Sequence, residues 1–140
     1  MEKQNYSNHT RMHPLYHYVL TILVLAVLAA AIVYAAGGGD VVTALFMFLV
    51  SICLVLIFIL VRIYPLKAQD RAIRAEENLR HFVITGKLLN PALTMKQIVA
   101  LRFAPDEELP GLAEKAAAEK LNPKEIKQSV QAWRADEDRI

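Results

Sequence analysis

Two long apolar stretches dominate the first half of the chain. Leu15 to Ala36 reads LYHYVLTILVLAVLAAAIVYAA and Val41 to Val61 reads VVTALFMFLVSICLVLIFILV, and neither contains Asp, Glu, Lys or Arg. Each matches the ~20 residues a helix needs to cross ~30 Å of hydrocarbon. Neither shows the polar stripe of a helix that buries one side in a water-soluble core. The pattern therefore predicts transmembrane helices at 15–36 and 41–61. Only Gly37, Gly38, Gly39 and Asp40 join them. So short a link cannot recross a bilayer, which makes the two helices antiparallel neighbours in a hairpin. Glycines allow the positive φ of a sharp reversal, and Asp40 is placed to cap the second helix.

Beyond Arg62 the pattern changes to that of a charged, water-exposed helix. Ala68, Ala72, Ala75, Leu79, Phe82, Gly86 and Leu89 recur alternately four and three apart, which is a heptad seam. The remaining faces carry Lys67, Asp70, Arg71, Arg74, Glu76, Glu77 and Arg80. The second span is thus expected to continue as a stalk over 62–89, with a bend at Pro65. Its seam needs a partner, either another subunit or, as the preferred expectation, the segment that follows in the same chain.

Asn90-Pro91 ends the stalk, and three short helices are signalled over 90–140. Thr94 with Gln97 is a capping box opening MKQIVALRFA, whose apolar members include Met95, Ile98, Val99 and Phe103. The stretch PDEELPGLAEKAAAEK is acidic at its start, as a helix N-terminus prefers, with Pro105 and Pro110 as alternative starting points. Asn122, Pro123 and Glu125 open the last helix, on which Ile126, Val130 and Trp133 form one apolar stripe. The fold class is all-α: a membrane hairpin, a stalk and a small helical module that packs back on it, since so short a segment is near the limit for folding alone.

Charge sets the orientation. Lys3 and Arg11 precede the first span and Arg62, Lys67, Arg71 and Arg74 follow the second, whereas the glycine turn has no basic residue. The positive-inside rule places both termini, the N-terminal segment 1–14 included, in the cytoplasm. The four basic residues after the second span are candidates for lipid headgroup contacts, or serve only to set topology. Ala29 with Ala31, and Val33 with Ala35, match the small-residue pattern of signal cleavage. The apolar run is too long for a signal core and a second span follows at once, so the first helix is expected to stay. Ala26 with Ala30, and Ala31 with Ala35, supply the small-residue spacing that lets membrane helices approach closely.

Candidate chemistry changes this picture little. The net charge of +2 gives no footprint for nucleic acid or acidic substrates. A helix-turn-helix likeness over LTMKQIVAL and LAEKAAAEKLNPKEI is set against eight basic and nine acidic residues from Lys96 onward, so DNA binding is a weak alternative. The single Cys53 excludes an intrachain disulfide and multi-cysteine metal motifs. His9, His13 and His17 recur every four residues, but Pro14 interrupts any shared helix, so interfacial histidines are expected rather than metal ligands. No phosphate loop, nucleophile elbow or zinc-protease helix occurs, and adjacent Glu76 and Glu77 point to different helix faces. No enzyme, cofactor or metal is expected. With His17 and the tyrosines at the span ends, the polar residues inside the bilayer are Thr21, Thr43, Ser51 and Cys53, which argues against a carrier needing ionisable groups at depth.

The stretches QNYSNHTRMHPLYHY, RAEENLRHFVITGKLLNPALTMKQIVALRFAPDEELPGLAEKA and LNPKEIKQSVQAWRAD resemble a family of small bacterial two-span membrane proteins of unknown function. The resemblance implies a bacterial cytoplasmic membrane and brings no activity, ligand or site residue with it. The expected function is a non-enzymatic, membrane-anchored interaction or scaffold protein, whose partners are the bilayer and another copy or another membrane protein. An oligomeric channel or an accessory subunit of a transport complex is the alternative.

Overall fold

The computed structural model describes residues 4–8 and 12–136; Lys3, His9, Arg11, Glu137 and Asp138 lie outside the described residues. All described secondary structure is helical, and no strand occurs among the described residues. The chain divides into two units, 12–66 and 67–140 with 1–11.

The first unit is a helical hairpin. A π-helical turn, Leu15–Leu20, leads into α1 (Thr21–Ala36). The turn follows, and then α2 (Val41–Thr85), whose first half belongs to this unit. Such π turns are rare and occur as single-turn insertions in helices. Tyr16, in this turn, fixes the antiparallel arrangement. Its ring stacks on Phe58 with centroids 4.7 Å apart, and its hydroxyl donates to the Phe58 carbonyl at 2.7 Å. The start of the first helix therefore meets the far end of the second apolar stretch. Along α1 the inward positions Val24 and Ala31 are seven residues apart, and Ser51 is the fully buried position of α2. Small side chains there let the helix backbones approach. Of the paired small residues, Ala31 is buried whereas Ala26, Ala30 and Ala35 are exposed.

The glycine turn is shaped by one ring. A Cβ added at Gly39 would collide with the Tyr34 ring, so any other residue displaces that ring. The Tyr34 hydroxyl donates to Asp40 Oδ2 at 2.7 Å, and Asp40 Oδ1 accepts the Thr43 backbone N–H at 2.9 Å, which caps α2. The Thr43 N–H first, and the Tyr34 hydroxyl second, lower the Asp40 pKa from 3.8 to about 2. A depressed carboxylate pKa contributes stability that is complete above the unfolded value and lost as pH falls through the folded one. The cap is therefore expected to weaken from about pH 4 down to about pH 2. Carboxyl NMR titration checks this: Tyr34→Phe should raise the midpoint but leave it below 3.8, because the Thr43 bond remains. A midpoint already normal in the native chain would refute the cap.

The second half of α2 is the stalk. Its helix is continuous from Val41 through Pro65 to Thr85, so the apolar stretch and the stalk form one element. The expected stalk over 62–89 is corrected at its end: the helix stops at Thr85, because Gly86 adopts φ 73°, a left-handed conformation that terminates helices. Asn78 Oδ1 then accepts the Leu89 N–H at 3.2 Å and draws the following segment back along the stalk.

Three helices follow, α3 (Met95–Leu101), α4 (Leu109–Ala118) and α5 (Pro123–Ser129). Both anticipated capping boxes are present, Thr94 with Gln97 and Asn122 with Glu125. Of the two prolines, Pro110 lies in the first turn of α4, whereas Pro105 accepts from Glu108 and Leu109 in the turn before it. Leu89, Leu93, Ile98, Leu101, Leu109 and Ile126 are among the buried side chains of the module's core. Gln97 crosses that core and donates to the Leu121 carbonyl at 2.8 Å, which satisfies its buried amide.

Candidate functional site

The stalk presents two opposite faces of different chemistry. Ile73, Glu77 and His81, one turn apart, are 8%, 4% and 8% exposed, so this is the face the module covers. Glu77 accepts from Arg80 Nη1 at 3.0 Å and has Arg134 Nη1 at 3.6 Å. The Arg80 guanidinium also donates from Nε to Asp106 at 2.6 Å and from Nη2 to the Ala104 carbonyl at 2.8 Å. One side chain thereby ties its stalk neighbour Glu77 to the α3–α4 loop. His81 Nδ1 lies 2.7 Å from the Lys87 carbonyl, an acceptor, which assigns the proton to Nδ1. That bond and the Thr85 hydroxyl, which donates to the His81 carbonyl at 2.7 Å, close the stalk's end.

The expected seam lies on the other side. Ala68, Ala72, Ala75, Leu79 and Phe82 are all exposed, with Leu79 at 64% and Phe82 at 50%. The expectation that this seam packs against the following segment of the same chain is therefore corrected. The module instead covers the polar face, because Glu77 and Arg80 find partners there. Leu89 leaves the seam altogether, since the helix has ended, and is buried in the module core. Val83 at 76% exposure extends the open apolar surface.

The C-terminal stripe is also corrected. α5 stops at Ser129, and Val130 is extended, so Ile126, Val130 and Trp133 do not share a helix face. Ile126 is buried, Val130 packs against the core, and Trp133 lies in an extended strap where it stacks on Phe103 at 4.4 Å. Arg134 N–H donates to the Phe103 carbonyl at 2.8 Å, and the Glu108 carboxylate accepts from Gln131 N–H and Ala132 N–H at 3.0 and 2.9 Å. Arg102, 6% exposed, also lies over the Phe103 ring at 4.1 Å and donates to Asp136 Oδ2 at 2.7 Å. Gln4 completes the strap: its side-chain carbonyl accepts the Asp136 N–H at 2.7 Å. No sequence pattern signalled Glu77, Arg80, Arg102, Glu108 or Gln4 as structural residues, because beyond local bonds such as Glu77–Arg80 the groups they engage are remote in the chain.

Of the basic residues after the second apolar stretch, Lys67, Arg71 and Arg74 are exposed and Arg62 is half-buried, 5.8 Å from the Tyr16 ring. His17 Nδ1 is 3.0 Å from the His13 backbone N–H, so that ring is engaged at the helix start. Among the described residues no group of three His, Cys, Asp or Glu side chains is gathered for a metal; His9 lies outside them.

These features define an all-helical protein with two helices long and apolar enough to cross a membrane and a compact helical module. The chain belongs to DUF6526, a family of unknown function whose model matches residues 1–140. No curated protein and no solved structure matches it.

Proposed function

We propose that this protein is a non-enzymatic integral protein of the bacterial cytoplasmic membrane, which anchors a helical module at the inner surface and engages a protein partner there. The burial of the two apolar helices carries the reading: in each, only 11% of the most apolar stretch is buried. A core helix of a water-soluble protein would have its apolar side chains covered, and these are not, so hydrocarbon is the cover that fits. The basic residues that follow the second span support a topology with both termini in the cytoplasm, in which Arg62 and Lys67 would meet lipid headgroups. The ion pairs of the module support a holding rather than a reacting role, since each engaged group ties one segment to another.

A pore is disfavoured by the polar groups within the spans. Ser51 donates to the Met47 carbonyl at 2.8 Å and Thr21 to the Tyr16 carbonyl at 3.3 Å, so both hydroxyls are spent within their own helical segments. The anchored reading is tested in cells on a Cys53→Ser background. Val41→Cys, beside the turn, should react with a membrane-impermeant maleimide in intact cells, and Lys124→Cys only after permeabilisation. The chain should also stay in the membrane through an alkaline carbonate wash. Release by carbonate, or equal labelling of both positions in intact cells, would overturn the reading. Salt-driven ion flux from purified protein in liposomes would replace it with the channel.

A further inference from the structure

We propose that Ala68, Ala72, Ala75, Leu79 and Phe82 form the face on which two copies of this chain pair, as a parallel two-stranded coiled coil flanked by reciprocal Arg71–Glu76 ion pairs. The proposal rests on the membrane-anchored reading and names its partner.

Three observations lead to a second copy. The seam has heptad spacing, with Ala72 and Leu79 at one core position and Ala68, Ala75 and Phe82 at the other. It is exposed, and the stalk positions that the chain's own module covers, Ile73, Glu77 and His81, lie on the opposite side. The flanks are complementary to themselves. In this register Arg71 precedes the seam and Glu76 follows it five residues later, the spacing at which parallel strands place opposite charges together. Both side chains are exposed, and neither has an ion-pair partner among the described residues.

The charges also choose the direction. In an antiparallel pair like flank positions face each other, so Glu76 would meet Gln69 or Glu76 of the other copy, and Arg71 would meet Asn78 or Thr85. Only the parallel pair matches both charges. Copies inserted with one topology carry parallel stalks, and confinement to a membrane raises their effective concentration, which a two-heptad seam needs. Alanine at three layers allows close approach nearest the apolar stretch, and Leu79 with Phe82 supplies the larger buried surface farther along.

The test is oxidative cross-linking of the full chain in native membranes, on the Cys53→Ser background. Ala75→Cys and Phe82→Cys should each give a product of twice the chain mass, and Arg74→Cys, off the seam, should give little. Adding Arg71→Glu should reduce the Ala75→Cys product about fivefold, the size expected when exposed pairs become repulsive, and adding Glu76→Arg to that variant should restore it. Equal cross-linking at Arg74→Cys, no seam product from a membrane-located chain, or a product of another mass would each overturn the pairing while leaving the anchor in place. A chain found in the soluble fraction would overturn the anchored reading, and the pairing with it.

Discussion

Phe103→Ala will unfold the helical module under conditions in which the native chain holds it. Phe103 is 0% exposed, stacked on Trp133 at 4.4 Å and covered by the Arg102 guanidinium at 4.1 Å. Truncating a buried phenylalanine costs ~3–5 kcal/mol in lost transfer energy and residual cavity. Here the strap adds to the loss, because Trp133 rests on that ring. The chain's single tryptophan is Trp133, so its fluorescence in urea reports the module directly in detergent or nanodiscs. The midpoint should fall sharply, with Trp133 emission shifted towards that of a solvated indole, and far-UV dichroism should lose its module transition at the same urea concentration. Leu79→Ala, on the exposed seam, should shift the midpoint little at concentrations where the chain is monomeric. A loss below ~1 kcal/mol for Phe103→Ala would show that the strap does not depend on this ring.

Arg80→Ala should come close behind, at a loss of ~3 kcal/mol, because it leaves a buried carboxylate without its main partner. The Glu77 side chain is 6% exposed, and what remains beside it is Arg134 at 3.6 Å, itself 52% exposed. The loss is one of unpaired charge, so removing both charges should cost much less than removing one. Glu77→Leu with Arg80→Met should lose only ~1 kcal/mol, the share left by the Ala104 carbonyl that Arg80 no longer satisfies. Asp106→Asn should cost less than ~1 kcal/mol, since that carboxylate is 65% exposed and water replaces its partner. Urea midpoints of the three variants, read again through Trp133, decide the matter. If Asp106→Asn were as damaging as Arg80→Ala, the surface arm and not Glu77 would be the seat of the effect.

The two faces of the stalk show what a linear pattern conveys. The three-four spacing of Ala68 to Phe82 is visible in the sequence, and apolar spacing normally marks the buried side. The module nevertheless sits on the side of Ile73, Glu77 and His81. Burying Glu77 and Arg80 is costly unless each is paired, and the groups that engage Arg80 from the module, Asp106 and Ala104, lie 26 and 24 residues farther along the chain. No local pattern records that such partners will arrive. The stripe Ile126, Val130, Trp133 misled for a related reason. Its spacing is helical, but Glu108 takes the Gln131 and Ala132 N–H groups, 23 and 24 residues away, and Phe103 takes the indole, so an extended strap satisfies more groups than another helical turn.

By itself the sequence determined what depends on neighbours within a few residues: two apolar helices, the glycine reversal, the continuation into a stalk, and the capping boxes at Thr94 and Asn122. These follow from backbone hydrogen bonding and from side-chain period, both complete within one or two helical turns. The tertiary structure alone decided which stalk face is covered, that Leu89 enters the module core, and how Gln4 meets Asp136 across 132 residues of chain. Those outcomes depend on buried charges and amides finding distant partners, a condition met only once the chain has folded around them.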